Sequence, residues 1–236
     1  MLHGCQVSLV VPTLNEEEGL RRLLGLVPRS VDEVVVVDGG ETDGTRRIAQ
    51  EGGAKVIVER RRGYGRALKT GFAQCSGEII ATADGDATYP VASIERVVDR
   101  LVADGLDFVS CARLPLSEPE SMSLRNLLGN RMMTGIASLL WRHRFHDILS
   151  GMWVFRRPVL ERLELRSDCW NFSEEIKLRA FVELGQKFSE FHIAYHPRLG
   201  RTKLLPWRVG FENIRYLLAM RWGGSALQKS CIAERP

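Results

Sequence analysis

The chain has 236 residues, 44% of them hydrophobic and 26% charged, a balance that excludes a disordered or fibrous polymer and suits one soluble folded unit with a sizeable core. Five cysteines without CxxC spacing suit neither a disulfide framework nor a zinc site and point to a reducing cytoplasm. The formal net charge is only +4, yet residues 197–236 carry eight Lys or Arg against Glu212 and Glu234. The opening MLHGCQVSLVVP lacks a basic region followed by a long apolar run, and no run of about 18 apolar residues occurs, so neither export nor a membrane span is expected; no zinc-finger, helix-turn-helix or aromatic-basic RNA motif makes nucleic acid an expected partner.

In chain order, QVSLVVP (6–12), DEVVVVD (32–38), AKVIVE (54–59), EIIATAD (78–84) and DFVSCA (107–112) are Val- and Ile-rich runs too short for ordinary helices, and predict buried strands. Helical patterns alternate with them. Residues 15–27 put Leu20, Leu23, Leu24 and Val27 on one stripe after an acidic first turn, and 64–75 and 91–103 behave similarly. Alternation of this kind predicts an α/β fold, a single doubly wound and mostly parallel sheet flanked by helices. The second half is less regular, with a helix over 123–140, a strand-like SGMWVFRR (150–157) and a helix across FSEEIKLRAFVEL (172–184). The segment LPLSEPES (114–121) reads as a mobile surface loop that could lie over a site.

Ligands of doubly wound sheets bind beyond the carboxyl ends of the strands. PTLNEE, DGGETDGT and DGDATYP all fall there. In ADGDATYP, Asp84 and Asp86 stand two residues apart, and on a strand such residues share a face. Two like charges so placed repel unless a cation lies between them, and a hard divalent ion suits their oxygens. Asp38 can accept hydrogen bonds from a base or ribose, while Gly39, Gly40 and Gly44 permit a tight turn beside it.

Six motifs in order, VVPTLNEEEGL, VVVVDGGETDGT, GYGRALKTGF, ADGDATYP, SGMWVFRR and HPRLGRTKL, resemble the large inverting glycosyltransferase family with the GT-A fold. Within it the chain is similar to the polyprenyl-phosphate hexose synthases, the dolichol-phosphate mannosyltransferase-like branch, over roughly residues 6–205. The resemblance implies nucleotide contacts from Pro12 and Glu16, and a base or ribose contact from Asp38. It makes Asp84 and Asp86 the ligands of Mg2+ or Mn2+, with Asp86 the more direct and Asp84 shared with the ribose. Gly39 replaces a second aspartate usual in relatives, and Thr88 stands where they often carry a longer polar side chain that offers a third ligand.

By the same resemblance Arg113 faces a donor or acceptor phosphate, with Arg131 on the following helix, and Arg198 and Lys203 fold over the diphosphate to meet charge developing on the leaving group. Asp147, Ser150 and Gly151 fall on the acceptor side, Trp153 and Phe155 in the core. Glu174 and Glu175 become candidate general bases, needed for a hydroxyl acceptor but not for a phosphate monoester, which is largely ionised at neutral pH. The implied activity is metal-dependent, non-processive transfer of a hexose or derivative from a nucleoside diphosphate sugar to polyprenyl phosphate; the Q-x-x-R-W segment and membrane helices of processive relatives are missing. The alternatives are transfer to a soluble sugar or small-molecule hydroxyl, with Asp147, Glu174 or Glu175 as base, and a silent nucleotide-sugar binding module.

Residues 1–205 are expected to form the glycosyltransferase domain, and 206–236 an amphipathic C-terminal helix and tail. Trp207, Phe211, Ile214, Leu218 and Trp222 share one helical face, and Arg208, Glu212 and Arg215 another. Such a helix either packs on the domain's own core or lies on an anionic membrane. An enzyme that reaches a lipid phosphate without a span needs the second, so peripheral association at the cytoplasmic membrane face through residues 206–224 is expected.

Overall fold

The computed structural model describes residues 1–40, 44–199 and 206–223, with side chains from 210 onward in the last stretch. Its elements are β1 (Val7–Thr13), α1 (Glu17–Leu26), β2 (Glu33–Asp38), α2 (Thr45–Glu51), β3 (Lys55–Val58), α3 (Tyr64–Gln74), β4 (Ile79–Thr82), α4 (Ile94–Ala103) and β5 (Phe108–Ala112). Then follow α5 (Leu124–Trp141), β6 (Trp153–Arg156), α6 (Val159–Arg162), α7 (Phe172–Leu184), β7 (Phe188–His192) and α8 (Pro206–Trp222). The strands form one sheet in the order β3-β2-β1-β4-β6-β5-β7. All neighbours are parallel except β6, which runs against both β4 and β5.

The alternation of strand side chains divides the core between the two faces. Leu9, Val11, Ile79, Ala81, Val109 and Val154 meet α1 and α4 through Leu20, Leu23, Ile94 and Val98. Val10, Val37, Ile80, Phe108, Trp153 and Phe155 meet α3 and α7 through Leu68, Phe72, Phe172 and Ile176. Each fully buried Val, Leu, Ile or Phe among them contributes about 1.5–3 kcal/mol. A third cluster joins α5, α7 and α8 through Met133, Ala137, Leu178 and Leu217.

Register brings the polar loops together. Thr13 pairs with Asp38, Asp38 with Val58, and Val10 with Thr82, so β1, β2, β3 and β4 end on one rim. The antiparallel β6 begins on that rim, which delivers Ser150 and Gly151 beside the end of β4. Its direction could not be read from SGMWVFRR, because strand composition carries no orientation. The strand β7 was missed: FSEFH places its two Phe three residues apart rather than alternating, and as an edge strand it is only half-buried.

Three expectations change. The 114–121 segment holds a short 3-10 turn, Pro119–Ser121, and is tied down: His192 Nε2 meets the Pro115 carbonyl at 2.7 Å and His196 Nδ1 meets Glu118 Oε1 at 2.9 Å. Cys5, Cys75 and Cys111 are free but Cys169 is disulfide-bonded, which corrects the all-thiol expectation at that position. The helix α8 turns Asn213, Tyr216 and Leu217 inward and leaves Phe211, Leu218 and Trp222 exposed, while Ile214, expected on the same face as these three, packs against the third cluster. No helix among the described residues is long and apolar enough to cross a membrane.

Candidate active site

The Asp84–Asp86 pair lies beyond the end of β4, in a turn rather than on the strand, so strand alternation does not set its geometry. Asp86 is buried, its Oδ1 accepting hydrogen bonds from the Thr88 amide at 3.1 Å and the Thr88 hydroxyl at 2.7 Å. The Thr88 hydroxyl, at the position where relatives often offer a third ligand, is thus engaged with Asp86. The turn packs directly on α1 at Gly19, where a Cβ would stand 2.6 Å from the Gly85 carbonyl and 2.7 Å from the Asp86 Cα. Any other residue there would push the turn outward.

Asp84 is half-buried and accepts a hydrogen bond from Tyr64 Oη at 2.8 Å. Tyr64 is held flat against Trp170, with ring centroids 4.8 Å apart. Gly151 faces the same carboxylate, and a Cβ on it would come within 3.2 Å and 3.4 Å of the two Asp84 oxygens. Burial, and then the neighbouring Asp86 charge, push the Asp84 carboxyl up to about 7.

Arg198 crosses the rim to this pair. Its guanidinium meets Glu16 Oε1 at 2.5 Å and Asp86 Oδ2 at 2.9 Å. The backbone holds it there, since the His196 amide donates to the Thr88 carbonyl at 2.9 Å and the Leu199 amide to the Asp86 carbonyl at 3.2 Å. The three expected residues Glu16, Asp86 and Arg198 therefore converge, although up to 182 positions separate them in sequence. Lys203 lies outside the described residues. Pro12 is buried in β1, and Asp38 closes β2, where it accepts from Arg46 Nε at 2.6 Å, Thr13 Oγ1 at 3.1 Å and the Gly40 amide at 3.2 Å.

On the other side of the rim, Arg113 and Asp147 form a buried bidentate pair, Nε to Oδ2 at 2.6 Å and Nη2 to Oδ1 at 3.0 Å. Asn130 Nδ2 donates to the same carboxylate at 2.9 Å, and the guanidinium lies 5.1 Å from the Tyr195 ring centre. Burial opposes the Asp147 charge, but Arg113 outweighs it and holds the carboxyl well below the usual range. Beneath them Lys177 is buried, its Nζ donating to the carbonyls of Asp147 and Ser150 at 3.0 Å each, and burial pushes its ammonium down to about 7. The Gly151 amide donates to Tyr89 Oη at 2.6 Å.

Glu175 is buried and bound by the amides of Arg166 and Ser167, at 2.9 Å and 2.7 Å, and by Arg179. Glu174 is buried too; neither of its oxygens finds a close hydrogen-bond partner, and burial pushes its carboxyl up to about 8 against the weaker pull of the Lys177 charge and the Asn213 amide. Arg131 stands apart, on the exposed side of α5. Sequence reasoning missed Tyr64, Trp170, Asn130 and Lys177. Each belongs to an ordinary helical or loop pattern, and only the tertiary fold aims it at the rim.

The arrangement offers two hard carboxylates, one already holding a cation in Arg198 and the other facing a position without a Cβ. That donor set fits a divalent ion that takes its remaining ligands from phosphate and water. No group of three or more His, Cys, Asp and Glu gathers in a metal-binding cluster among the described residues, which such an ion does not require.

The profile of Glycosyl transferase family 2 matches residues 8–164. A dolichyl-phosphate hexose transferase of Haloferax volcanii is 33% identical over 232 residues, covering 97% of this chain and 95% of that protein. A dolichol-phosphate mannosyltransferase of Pyrococcus furiosus is 25% identical, covering 93% of this chain and 65% of its own length. Among solved structures, glucosyl-3-phosphoglycerate synthase from Mycobacterium tuberculosis, in complex with Mn2+, uridine diphosphate and phosphoglyceric acid, superimposes with a TM-score of 0.72 at 22% identity, over 92% of this chain and 78% of that one. At that identity the likeness speaks for the fold.

Proposed function

The chain belongs to glycosyl transferase family 2, and from that premise we propose that it is a metal-dependent, inverting and non-processive hexosyltransferase that moves a hexose or derivative from a nucleoside diphosphate sugar to polyprenyl phosphate. The observation that carries the acceptor class is the state of the candidate bases. Asp147 is locked by Arg113, Glu175 by backbone amides, and Glu174 is fully buried, out of reach of an acceptor, with burial pushing its carboxyl up. A hydroxyl acceptor needs one of them free to take its proton, whereas an ionised phosphate oxygen attacks unaided. The full-length similarity to a protein named dolichyl-phosphate hexose transferase supports the same acceptor.

In this proposal Pro12, Glu16 and Asp38 border the nucleotide, and Asp84 and Asp86 would hold Mg2+ or Mn2+, which neutralises the departing diphosphate when bound. Arg198, with Lys203 beyond the described residues, would supply fixed positive charge to the same leaving group. A phosphate oxygen of the acceptor forms the new bond to the anomeric carbon on the face opposite the breaking one, and nucleoside diphosphate leaves. The chain's own contribution is placement: Tyr64 orients Asp84, Thr88 orients Asp86, and the Lys177-bound turn at Ser150 and Gly151 shapes the acceptor side. Residues 1–205 are proposed as the catalytic unit and 206–236 as a C-terminal helix and tail, with peripheral association at the cytoplasmic membrane face.

Release of nucleoside diphosphate from a panel of sugar nucleotides, with polyprenyl phosphate, with free sugars and with neither, tests the reading. Stimulation by the lipid phosphate alone is expected. Stimulation by a free sugar would instead show a hydroxyl acceptor, and binding without turnover would leave a nucleotide-sugar binding module.

A further inference from the structure

The helix α5 is apolar on two opposite faces. One face sends Met133 and Ala137 into the cluster shared with α7 and α8. On the other, Leu124, Leu128, Met132 and Leu139 are 70%, 57%, 52% and 80% exposed. Their spacings of four, four and seven residues set them along one stripe. A helix apolar on both sides belongs where both sides are covered, and this one is covered on one. The pattern repeats in α8, where Leu217 packs inward while Phe211, Leu218 and Trp222 are 64%, 38% and 69% exposed at spacings of seven and four. The two helices are joined by packing and by a hydrogen bond from Arg221 Nε to the Leu140 carbonyl at 3.0 Å.

The charge on these two helices is almost all of one sign. The 18 residues of α5 contain no Asp or Glu, and the 17 of α8 contain only Glu212. Arg125, Arg131, Arg142, Arg144, Arg215 and Arg221 are exposed on the two helices and the turn that follows α5. A second copy docked about a two-fold axis would set this cationic surface against itself. An anionic bilayer complements it: apolar side chains enter the acyl boundary and arginines reach the headgroups.

We propose that the outward faces of α5 and α8 together form a surface that docks the protein on an anionic lipid bilayer, with α5 supplying the longer stripe. This rests on the lipid-phosphate acceptor proposed above and extends it by naming the face that meets the lipid. The inward side of α5 carries Asn130, bonded to Asp147 at 2.9 Å, so the docking stripe and the acceptor side occupy opposite faces of one helix. Docked, the acceptor side sits about one helix diameter, roughly 10 Å, from the headgroup layer in which a membrane-anchored phosphate lies.

Co-sedimentation of the full chain with phosphatidylcholine vesicles, with and without phosphatidylglycerol, tests the surface. Binding is expected only with the anionic lipid, falling with added salt and dropping about five-fold or more in Leu128→Ser/Leu139→Ser, a pair of exposed positions whose replacement should change thermal melting little. Arg144→Glu/Arg215→Glu, which alters no packing, should weaken the same binding. Absence of wild-type binding, binding unaffected by both double variants, or a wild-type dimer that Leu128→Ser/Leu139→Ser dissociates would each overturn the proposal. Transfer activity separates it from the acceptor assignment. Vesicle binding without transfer to polyprenyl phosphate would leave the surface and remove that acceptor, and transfer by a protein that never sediments would do the reverse.

Discussion

Glu174 and Lys177, one helical turn apart on α7, enter the interior with their charges opposed by burial. Folding raises the Glu174 carboxyl from 4.5 to about 8, so the native state keeps a proton that the unfolded chain releases between those values. The corresponding stability is complete below the lower value and is lost as pH rises toward the upper one. Lys177 acts in the other direction and later: lowered from 10.5 to about 7, it lets stability recover as pH rises through that interval. Glu174 is therefore expected to contribute about 2 kcal/mol to a decline in stability between about pH 5 and pH 7, a window it shares with the raised Asp84 carboxyl, and Glu174→Gln, isosteric and uncharged, makes that limb shallower by about that amount. Urea titrations of both proteins across this range check it; parallel curves would mean that Glu174 is ionised in the native state. At the rim, Asp86→Asn keeps an oxygen for the Thr88 bonds and removes only the charge. Transfer should fall by about two orders of magnitude or more with the melting temperature little changed.

Among the elements, α8 packs on the domain's own core, one of the two roles the sequence left open, and keeps a second apolar face exposed. Its inward residues seal the third cluster, with Leu217 fully buried beside α5 and α7. Leu217→Ala should therefore cost about 2–4 kcal/mol in denaturant unfolding, whereas Phe211→Ser on the exposed face should stay within about 0.5 kcal/mol. Equal effects would mean that the exposed face is also packed. The sequence showed an apolar period but not which side of it is inward, because Trp207, Phe211, Ile214, Leu218 and Trp222 and the true packing face around Leu217 are both apolar. For α5 the same ambiguity hid the outward stripe. The helix itself was plain, with Ser123 capping it by accepting the Asn126 amide at 3.3 Å.

For the molecule as a whole, the parallel half of the sheet was legible because buried parallel strands are continuous Val and Ile runs and their helices carry clear stripes. The rim followed from topology, and Glu16, Asp86 and Arg198 do meet there. What was hidden depends on pairs distant in the chain. Arg113 and Asp147 were each visible as charged residues, but nothing local reveals that they neutralise one another in the interior. Lys177, a charged residue in the helical segment FSEEIKLRAFVEL, gave no sign that its ammonium is buried and reaches two carbonyls of the 147–150 turn. The antiparallel β6 escaped because orientation resides in the connections.

If the site takes metal and donor as proposed, the bridge from Arg198 to Glu16 and Asp86 would make donor binding an exchange of counter-ions. Before any ligand arrives, the guanidinium already balances the carboxylates, so an incoming divalent ion must displace it and gains less than the bare carboxylates would offer. The released guanidinium then needs a new anion, and the diphosphate supplies one. Metal and nucleotide would thereby be linked by a coupling free energy of favourable sign, each strengthening the other's binding by the same factor. In calorimetry, Arg198→Ala should bind free Mn2+ more tightly than the wild type, yet lose most of the gain in metal affinity that nucleoside diphosphate confers. An unchanged Mn2+ affinity in the variant would mean that Arg198 sets no threshold for the ion.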